Sequence, residues 1–304
     1  MQNQTLKLIY PQWQGGDIAG FFNDLEPSIV ARGYVLGAQI LDLLTRDINP
    51  ALDKNTAIVD ISRDFCVDSK NTRIVQDGII DKEILRAQHK NALNILHAKN
   101  PTKILTLGGE CATSIAPFGY LADKYKGDEI AMIWIDAHPD LGVKNDFYKG
   151  YHAMAVSALI GDFGLAQDFA LPAYIKPQNV LFIGLHSNEA KHYDLRRVEL
   201  GIEAIWGKDI ANDETRAFGA ISVWLKSRGV KKVLIHLDLD VLNPRELYVA
   251  VGDSGVLSVA QVVGAINAIS QNAEVIGLTI AEHLPKAQIE LQEMLKNLPL
   301  IKGD

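Results

Sequence analysis

The sequence predicts an α/β protein built on a mostly parallel sheet of about eight strands. Short β-rich runs alternate with longer segments of helical periodicity along almost the whole chain of 304 residues. Strands that are separated by helices need crossover connections, and crossover connections join parallel strands. No internal repeat, low-complexity segment or linker interrupts the alternation, so we expect residues 1–304 to form a single domain.

The predicted strands are short apolar runs, and the predicted helices have apolar residues at helical spacing. The strands are predicted at residues 6–10, 57–60, 103–107, 132–135, 180–183, 204–206, 232–237 and 274–279. The helices are predicted within residues 27–45, from Asp81 onwards, and at 111–125, 154–160, 189–200, 213–228, 258–271 and 286–296. Asp81 is expected to be an N-cap, because Leu85, Leu93 and Leu96 form an apolar face after it.

The composition argues against several classes of protein. A net charge of -7 without a dense cluster of lysine and arginine argues against a nucleic-acid partner. No apolar segment approaches the roughly 20 residues that a membrane-spanning helix needs, so no membrane partner is expected. The N-terminus lacks the basic region and apolar core of a secretory signal, and Cys66 and Cys111 do not make a disulfide framework. We therefore expect a cytoplasmic protein with reduced cysteines.

Three potential metal ligands follow the strand predicted at residues 132–135. Asp136, His138 and Asp140 stand at alternate positions, so their side chains project to one side if the backbone stays extended. Pro139 favours this, because the residue before a proline is pushed towards extended dihedrals. Charged groups rarely end a buried strand unless something opposes their charge. The segment is therefore predicted to face a positive charge.

Further candidate residues follow three other predicted strands, at the ends where open parallel sheets bind ligands. Asp238 and Asp240 follow one strand, Cys111 follows another, and Glu282 follows the last. The four aspartates would repel one another in a poorly solvated crevice unless cations intervene. Two divalent ions would balance their charge, and oxygen donors with some imidazole favour Mn²⁺. His236 shares a strand face with Asp238 and is expected to support the ligands from behind.

Taken in order, these motifs resemble those of the ureohydrolase family, which contains arginases, agmatinases, formiminoglutamases and guanidino-acid hydrolases. The family's Gly-Gly-Asp-His-Ser, Asp-Ala-His-x-Asp and Asp-x-Asp-x-x-Asp-Pro segments correspond to Gly-Gly-Glu-Cys-Ala at 108–112, Asp-Ala-His-Pro-Asp at 136–140 and Asp-Leu-Asp-Val-Leu-Asn-Pro at 238–244. The resemblance extends from about Lys103 to Pro285, and more faintly to the N-terminus. It implies an arginase-like, three-layer α/β/α sandwich with a binuclear Mn²⁺ centre.

The resemblance also implies a role for each metal ligand. Asp136 and Asp238 would bridge the two ions. Asp140 would bind one ion, and His138 and Asp240 would bind the other.

Three further residues match family positions that handle the substrate. His152 falls where arginases carry a proton-shuttling histidine, and Glu282 matches a glutamate that holds the substrate guanidinium. Glu189 takes the place of an acid that contacts the amino group of the substrate. In the family a metal-activated hydroxide attacks the guanidinium carbon. The resemblance therefore implies that a small guanidino compound is hydrolysed to urea and an amine.

Cys111 departs from the family pattern, which has a metal-binding histidine at this position. A thiolate could still coordinate, because a metal or a helix N-terminus lowers the pKa of a cysteine. In that case two Mn²⁺ ions per chain are expected, with Cys111 as a sixth ligand. If Cys111 does not coordinate, one ion is expected, held by Asp136, His138 and Asp238.

The substrate loop at residues 141–150 also matches the family poorly, so the resemblance does not identify L-arginine as the substrate. Lys144 or Lys149 could pair with a carboxylate, which would favour a guanidino acid. A formimino or hydroxyguanidine substrate remains an alternative, as does a non-catalytic arginase-like protein. By analogy with the family, we expect a homotrimer or a homohexamer.

Overall fold

Ten strands are found in the part of the chain that the structure, a computed structural model, describes. The described residues are 5–17, 27–61, 73–126, 129–186, 191–249, 252, 254–295, 298 and 301. In chain order the strands are β1 (Thr5–Tyr10), β2 (Thr56–Ile58), β3 (Val75–Gln76), β4 (Ile79–Ile80), β5 (Lys103–Gly108), β6 (Ile130–Ile135), β7 (Val180–Ile183), β8 (Glu203–Ile205), β9 (Lys232–Asp238) and β10 (Glu274–Ala281).

Eight of these strands form one parallel sheet, in the order β2-β1-β5-β10-β9-β6-β7-β8. All eight predicted strands are present, and no bound differs from its prediction by more than two residues. The agreement has a physical reason. Strands of a parallel sheet are covered on both faces and therefore read as continuous apolar runs. The predicted α/β class with a parallel sheet is confirmed.

Ten α-helices lie within the described ranges. They are α1 (Pro27–Ile48), α2 (Lys82–Lys99), α3 (Ile115–Tyr125), α4 (Ala155–Leu159), α5 (Leu165–Asp168), α6 (Lys191–Glu199), α7 (Gly207–Asn212), α8 (Glu214–Arg228), α9 (Val259–Ser270) and α10 (Lys286–Leu295). The sequence predicted eight of these and missed the short helices α5 and α7. None of the described helices is long and apolar enough to cross a membrane.

The helices cover both faces of the sheet, which gives three layers. Met132 and Trp134 of β6 lie in one apolar cluster with residues of α2 to α5. Ile133 and Ile135 of the same strand lie in a second cluster with residues of α7 to α9. Because successive side chains of a strand point to opposite faces, the two clusters lie on opposite sides of the sheet. The predicted three-layer α/β/α sandwich is therefore confirmed.

Two local features differ from the sequence prediction. The hairpin of β3 and β4 was missed, although Asp77-Gly78, with φ values of 47° and 79°, is a typical type I′ turn sequence. Asp81 precedes α2 as predicted but has a φ of 53° and makes no capping hydrogen bond. Its carboxylate accepts a hydrogen bond of 2.8 Å from Arg73 Nε instead.

Candidate metal centre

The predicted metal ligands and Glu282 lie at the carboxyl ends of four strands that are neighbours in the sheet, in the order β5, β10, β9 and β6. Cys111 begins a short 3₁₀ helix after β5, and Glu282 directly follows β10. Asp238 ends β9, Asp240 lies in the 3₁₀ helix after it, and Asp136 directly follows β6. The strand order thus brings Cys111 within contact of Glu282, 171 positions later in the chain.

These strand ends surround a cavity of about 330 Å³. Its wall contains four acids and two histidines, and none of the described wall residues is a lysine or an arginine. Asp136 is fully buried and is not part of the wall, and Glu189 lies outside the described residues. The wall residues are Cys111, His138, Pro139, Asp140, Leu141, Tyr148, His152, Ala153, Tyr193, Asp238, Asp240 and Glu282.

The two central strands end in the same kind of turn. Asp136 Oδ1 accepts a hydrogen bond of 2.6 Å from His138 N, and Asp238 Oδ1 accepts one of 2.7 Å from Asp240 N. An aspartate that binds the backbone two residues ahead makes an Asx turn, which competes with an extended strand. The chain therefore bends after β6 and reaches a φ of 47° at Asp140. The extended backbone that would project all three side chains to one side is therefore not found.

One group of ligand atoms lies between the two turns. Asp136, His138 and Asp240 each offer an atom within 4.8 Å of the others. His138 Nδ1 is 2.8 Å from Asp240 Oδ2 and 3.6 Å from Asp136 Oδ1. Asp240 Oδ1 also accepts a hydrogen bond of 3.3 Å from Ala137 N, which fixes the carboxylate against the end of β6. These three residues could hold one cation.

A second group lies beside the first and shares one residue with it. Cys111, Asp136, His236 and Asp238 offer ligand atoms that all lie within 4.8 Å of one another. Asp136 belongs to both groups, as a bridging ligand would. Asp238 belongs only to the second, and Asp140 to neither. Asp140 nevertheless lines the cavity, and its buried Oδ2 has no hydrogen-bond partner among the described residues.

The shifted pKa values of the cluster indicate that its carboxylates lack compensating positive charge. Burial raises the pKa of Asp136 to about 7, with a further contribution from Asp240. Burial and neighbouring carboxylates raise the pKa values of Asp140 and Asp238 well above the usual range. Burial opposes a charge on His138, yet Asp240 and Asp136 raise its pKa well above normal. Buried carboxylates of this kind fit divalent cations, whose charge would replace the protons.

Cys111 is held between two carboxylates. Its Sγ lies 3.0 Å from Asp238 Oδ2 and 3.5 Å from Glu282 Oε1. Burial, followed by the charge of Asp238, raises the pKa of the thiol well above its usual value. In this geometry the Cys111 thiol donates to Asp238 Oδ2. A bound cation would favour the thiolate here.

His152 and Glu282 stand next to each other on the cavity wall. His152 Nδ1 lies 3.5 Å from Glu282 Oε1, and His152 Nε2 lies 2.6 Å from the Tyr148 hydroxyl. Glu282 has a φ of 60°, a conformation that costs a non-glycine residue about 1–3 kcal/mol. Its backbone N–H donates to Gly109 O at 2.8 Å, which fastens it to the end of β5.

Tyr148 lines the cavity although it was not predicted as a site residue. The suggested pairing of Lys144 or Lys149 with a substrate carboxylate is not supported by the structure. Tyr148 was part of a loop without a recognised motif, so its contact with His152 had no signal in the sequence. Lys144 Nζ pairs with Asp168, and Lys149 Nζ donates a hydrogen bond of 2.9 Å to Lys144 O. Neither lysine lines the cavity.

Comparisons with known proteins find arginases both by sequence and by structure. An arginase of Staphylococcus aureus (strain MRSA252) is 27% identical over 233 residues, which cover 73% of this chain and 71% of the relative. The arginase of Entamoeba histolytica, solved in complex with L-ornithine, has a TM-score of 0.72 at 14% identity and covers 94% of this chain and 92% of that one. The arginase from Bacillus caldovelox has a TM-score of 0.68 at 20% identity, covering 98% and 100%.

At such identities the two solved structures establish the fold alone. The family assignment comes from the sequence, because the model of the Arginase family matches residues 42–295. That match covers more than half of the chain and includes every residue of the cavity wall. The chain therefore belongs to the arginase family of amidino C–N hydrolases.

Proposed function

We propose that the protein hydrolyses a small guanidino compound to urea and an amine in a reaction that depends on divalent metal ions. The observation that carries the proposal is the acidic cavity. Asp140, Asp238, Asp240 and Glu282 line it, and the described part of its wall contains no lysine or arginine. Such a cavity attracts cations, and a guanidinium group is a planar cation that pairs well with carboxylates.

The ligands proposed for the metals are Asp136, His138, Asp140, Asp238, Asp240 and Cys111. Oxygen donors with imidazole support Mn²⁺, two per chain if Cys111 coordinates and one if it does not. When bound, such ions lower the pKa of a water molecule and stabilise negative charge that develops on the substrate. Asp136 belongs to both groups of ligand atoms, which supports its role as a bridge.

Glu282 is proposed to hold the substrate guanidinium. Its Oε1 accepts a hydrogen bond of 3.3 Å from Cys111 N, while its buried Oε2 has no hydrogen-bond partner among the described residues. A guanidinium offers N–H groups that would satisfy this oxygen, and the charge-assisted bond would fix the orientation of the central carbon.

His152 is proposed to transfer the proton that the reaction requires. When water adds to the guanidinium carbon and the C–N bond breaks, the leaving nitrogen must gain a proton to depart as an amine. His152 lies on the cavity wall beside Glu282, within reach of a group bound there. Histidine is suited to this step because its pKa lies close to neutral pH.

The part of the substrate beyond the guanidinium is less constrained. Lys144 and Lys149 make other contacts, so they do not support recognition of a substrate carboxylate. Glu189 stays proposed as a contact for a substrate amino group and lies outside the described residues. Agmatine, arginine and guanidino acids therefore all belong in the substrate panel, together with formimino and hydroxyguanidine compounds.

The test is release of urea after the protein has been stripped of metal and reloaded with Mn²⁺. We expect urea from at least one guanidino compound and none from the metal-free protein. Glu282→Gln keeps the size of the side chain and its contact with Cys111 N but removes the charge, so kcat/KM should fall by at least about 100-fold. A loaded protein that releases neither urea, formamide nor ammonia from any compound of the panel would contradict the proposal.

The assembly is also proposed on the family analogy. A homotrimer or homohexamer is supported by exposed apolar side chains near the end of α1, where Leu43, Leu44 and Ile48 are 62%, 53% and 82% exposed. Light scattering on the purified chain tests this, and a monomer at micromolar concentration would contradict it.

A further inference from the structure

His236 occupies a place in the site that packing alone does not explain. It lies on β9 opposite Trp134 of β6, and the two rings stack with centroids 3.6 Å apart. Its Nδ1 is 2.8 Å from Ser114 Oγ, a residue of the same 3₁₀ helix that begins with Cys111. The ring is fully buried and is fixed on its face and on one of its two nitrogens.

The other nitrogen of His236 points into the cluster. Nε2 is buried and has no hydrogen-bond partner among the described residues. It lies 3.9 Å from Asp136 Oδ2, too far for a hydrogen bond. Native proteins rarely bury a polar atom without a partner, and an exception calls for an explanation such as an ion.

The distances within this group suit a single ion. Ligand atoms bound at about 2.1 Å in a tetrahedral site lie about 3.4 Å from one another. The distance from Cys111 Sγ to Asp238 Oδ2 is 3.0 Å, and that from His236 Nε2 to Asp136 Oδ2 is 3.9 Å. All four ligand atoms lie within 4.8 Å of one another.

We propose that His236 is a metal ligand and completes, with Cys111, Asp136 and Asp238, a site for a borderline divalent cation such as Zn²⁺ or Co²⁺. His236, on β9, supplies an imidazole where the 3₁₀ helix after β5 has Cys111 in place of a histidine. This deepens the proposed function, on which it rests for the presence of a metal centre.

The orientation of the ring supports coordination through Nε2. If Nδ1 carries the proton and donates it to Ser114 Oγ, the lone pair of Nε2 is free to bind a cation. Metal-binding histidines usually donate their other N–H to a fixed oxygen in this way, which sets the tautomer. Ser114 is fully buried, so water does not compete with the imidazole for the Ser114 hydroxyl.

The centre then has two unlike sites. The site with Cys111 and His236 has a sulfur and a nitrogen donor, which favour Zn²⁺ or Co²⁺. The site with His138 and Asp240 has mostly oxygen donors, which favour Mn²⁺. The ligands of this chain therefore favour two different metals over a pair of Mn²⁺ ions.

Titration of the metal-free protein with Co²⁺ tests the proposal, because a thiolate bound to Co²⁺ gives a charge-transfer absorption in the near ultraviolet. The wild type should show this absorption, and Cys111→Ser should lose it. His236→Phe keeps the stacking on Trp134 but cannot coordinate, so it should raise the dissociation constant of the absorbing site by about 100-fold or more. His89→Asn removes a buried histidine of α2 and should leave the titration unchanged.

A rescue separates a ligand from a residue that only packs. The double variant Cys111→His/His236→Phe restores an imidazole from the other position, so it should bind Co²⁺, counted by mass spectrometry, far more tightly than His236→Phe. A double variant as weak as His236→Phe would overturn the proposal, as would a His236→Phe variant that binds like the wild type. If His236→Phe does not fold, His236→Asn takes its place in both comparisons.

X-ray absorption at the zinc edge of the wild type, loaded with one Zn²⁺, gives an answer that needs no variant. Scattering from one sulfur and one imidazole is expected. A spectrum that lacks the sulfur contribution or the imidazole contribution would overturn the proposal. Failure of the proposed function looks different. A protein that binds Zn²⁺ in this way but releases no urea would remove the proposed function and leave His236 as a ligand.

Discussion

His152 is held by contacts on both of its ring nitrogens. The Tyr148 hydroxyl accepts a hydrogen bond of 3.0 Å from Asp17 N, which leaves its own proton available for His152 Nε2 at 2.6 Å. The imidazole proton then lies on Nδ1, on the side of Glu282. We infer that Tyr148 is a positioning residue that sets which nitrogen of His152 carries the proton.

We expect Tyr148→Phe to lower kcat by roughly tenfold with little change in KM, because it removes the hydrogen bond that sets the tautomer. His152→Asn removes the proposed proton carrier and should lower kcat roughly 100-fold or more. The pH profile of kcat should shift in Tyr148→Phe, which a loss of packing alone would not cause. Tyr174→Phe, which alters an exposed tyrosine, is the control. Wild-type kcat and an unchanged pH profile in Tyr148→Phe would contradict this role.

The strands were predictable element by element, whereas the geometry at their ends was not. All six residues of β6 are buried, so the run 130–135 has a clear apolar signal. The turn that follows depends on a hydrogen bond from the backbone N–H of His138 to Asp136, which an alternation of side chains does not reveal. The positions of the ligands were therefore predictable from the strand ends, but the distances between the ligand atoms were not.

The same limit applies to contacts between elements. His236 was expected to support the ligands because it shares a strand face with Asp238. Its contact with Ser114 depends on how the helix after β5 packs over β9. Asp81 was predicted as a cap, but Arg73 provides a stronger partner for its carboxylate. A charged partner that is distant in sequence can outweigh a local preference.

Helix α2 carries a buried histidine that should make stability depend on pH. His89 contacts the edge of the Phe169 ring, and burial lowers its pKa to about 4. The unfolded chain has a value near 6.5, so it binds a proton more tightly than the folded protein does. The contribution of His89 to stability is therefore complete above about pH 6.5 and is lost as the pH drops towards 4, by at most about 3 kcal/mol.

We expect His89→Gln to lose this contribution, because the variant cannot bind the proton, so its free energy of unfolding should shift upward relative to that of the wild type as the pH falls from 7 to 4.5. Denaturant unfolding of metal-free protein between pH 7 and pH 4.5 measures it. His97→Gln, on the exposed side of the same helix, is the control and should keep the wild-type slope. Equal slopes in His89→Gln and the wild type would contradict the burial of a neutral imidazole.

At the scale of the whole molecule, one sheet joins the two apolar clusters. Residues of β6 and β9 contribute to both, since alternate side chains face opposite layers. We therefore propose that residues 1–304 form a single domain and predict one thermal transition, seen at the same temperature by calorimetry and by circular dichroism. Two transitions separated by several degrees, or by different probes, would indicate independent units.

The acidic cavity should also reverse the effect of pH on the whole molecule when metal is removed. Asp136 has a pKa of about 7 in the folded protein, and its value in the unfolded chain is near 3.8. The folded protein binds this proton more tightly, so the stabilisation is complete below about pH 4 and is lost as the pH rises to about 7. The raised pKa values of Asp140 and Asp238 act in the same direction.

We predict that the Tm of the metal-free protein falls between pH 5 and pH 8, whereas the Tm in saturating Mn²⁺ rises over the same range. The cation binds deprotonated carboxylates, so its affinity and its stabilisation increase with pH. Asp136→Asn should flatten both curves, because the amide neither titrates nor provides a charged ligand. The measurement is differential scanning calorimetry with chelator or with Mn²⁺. A metal-free Tm that rises with pH would show that the carboxylates are already compensated within the protein.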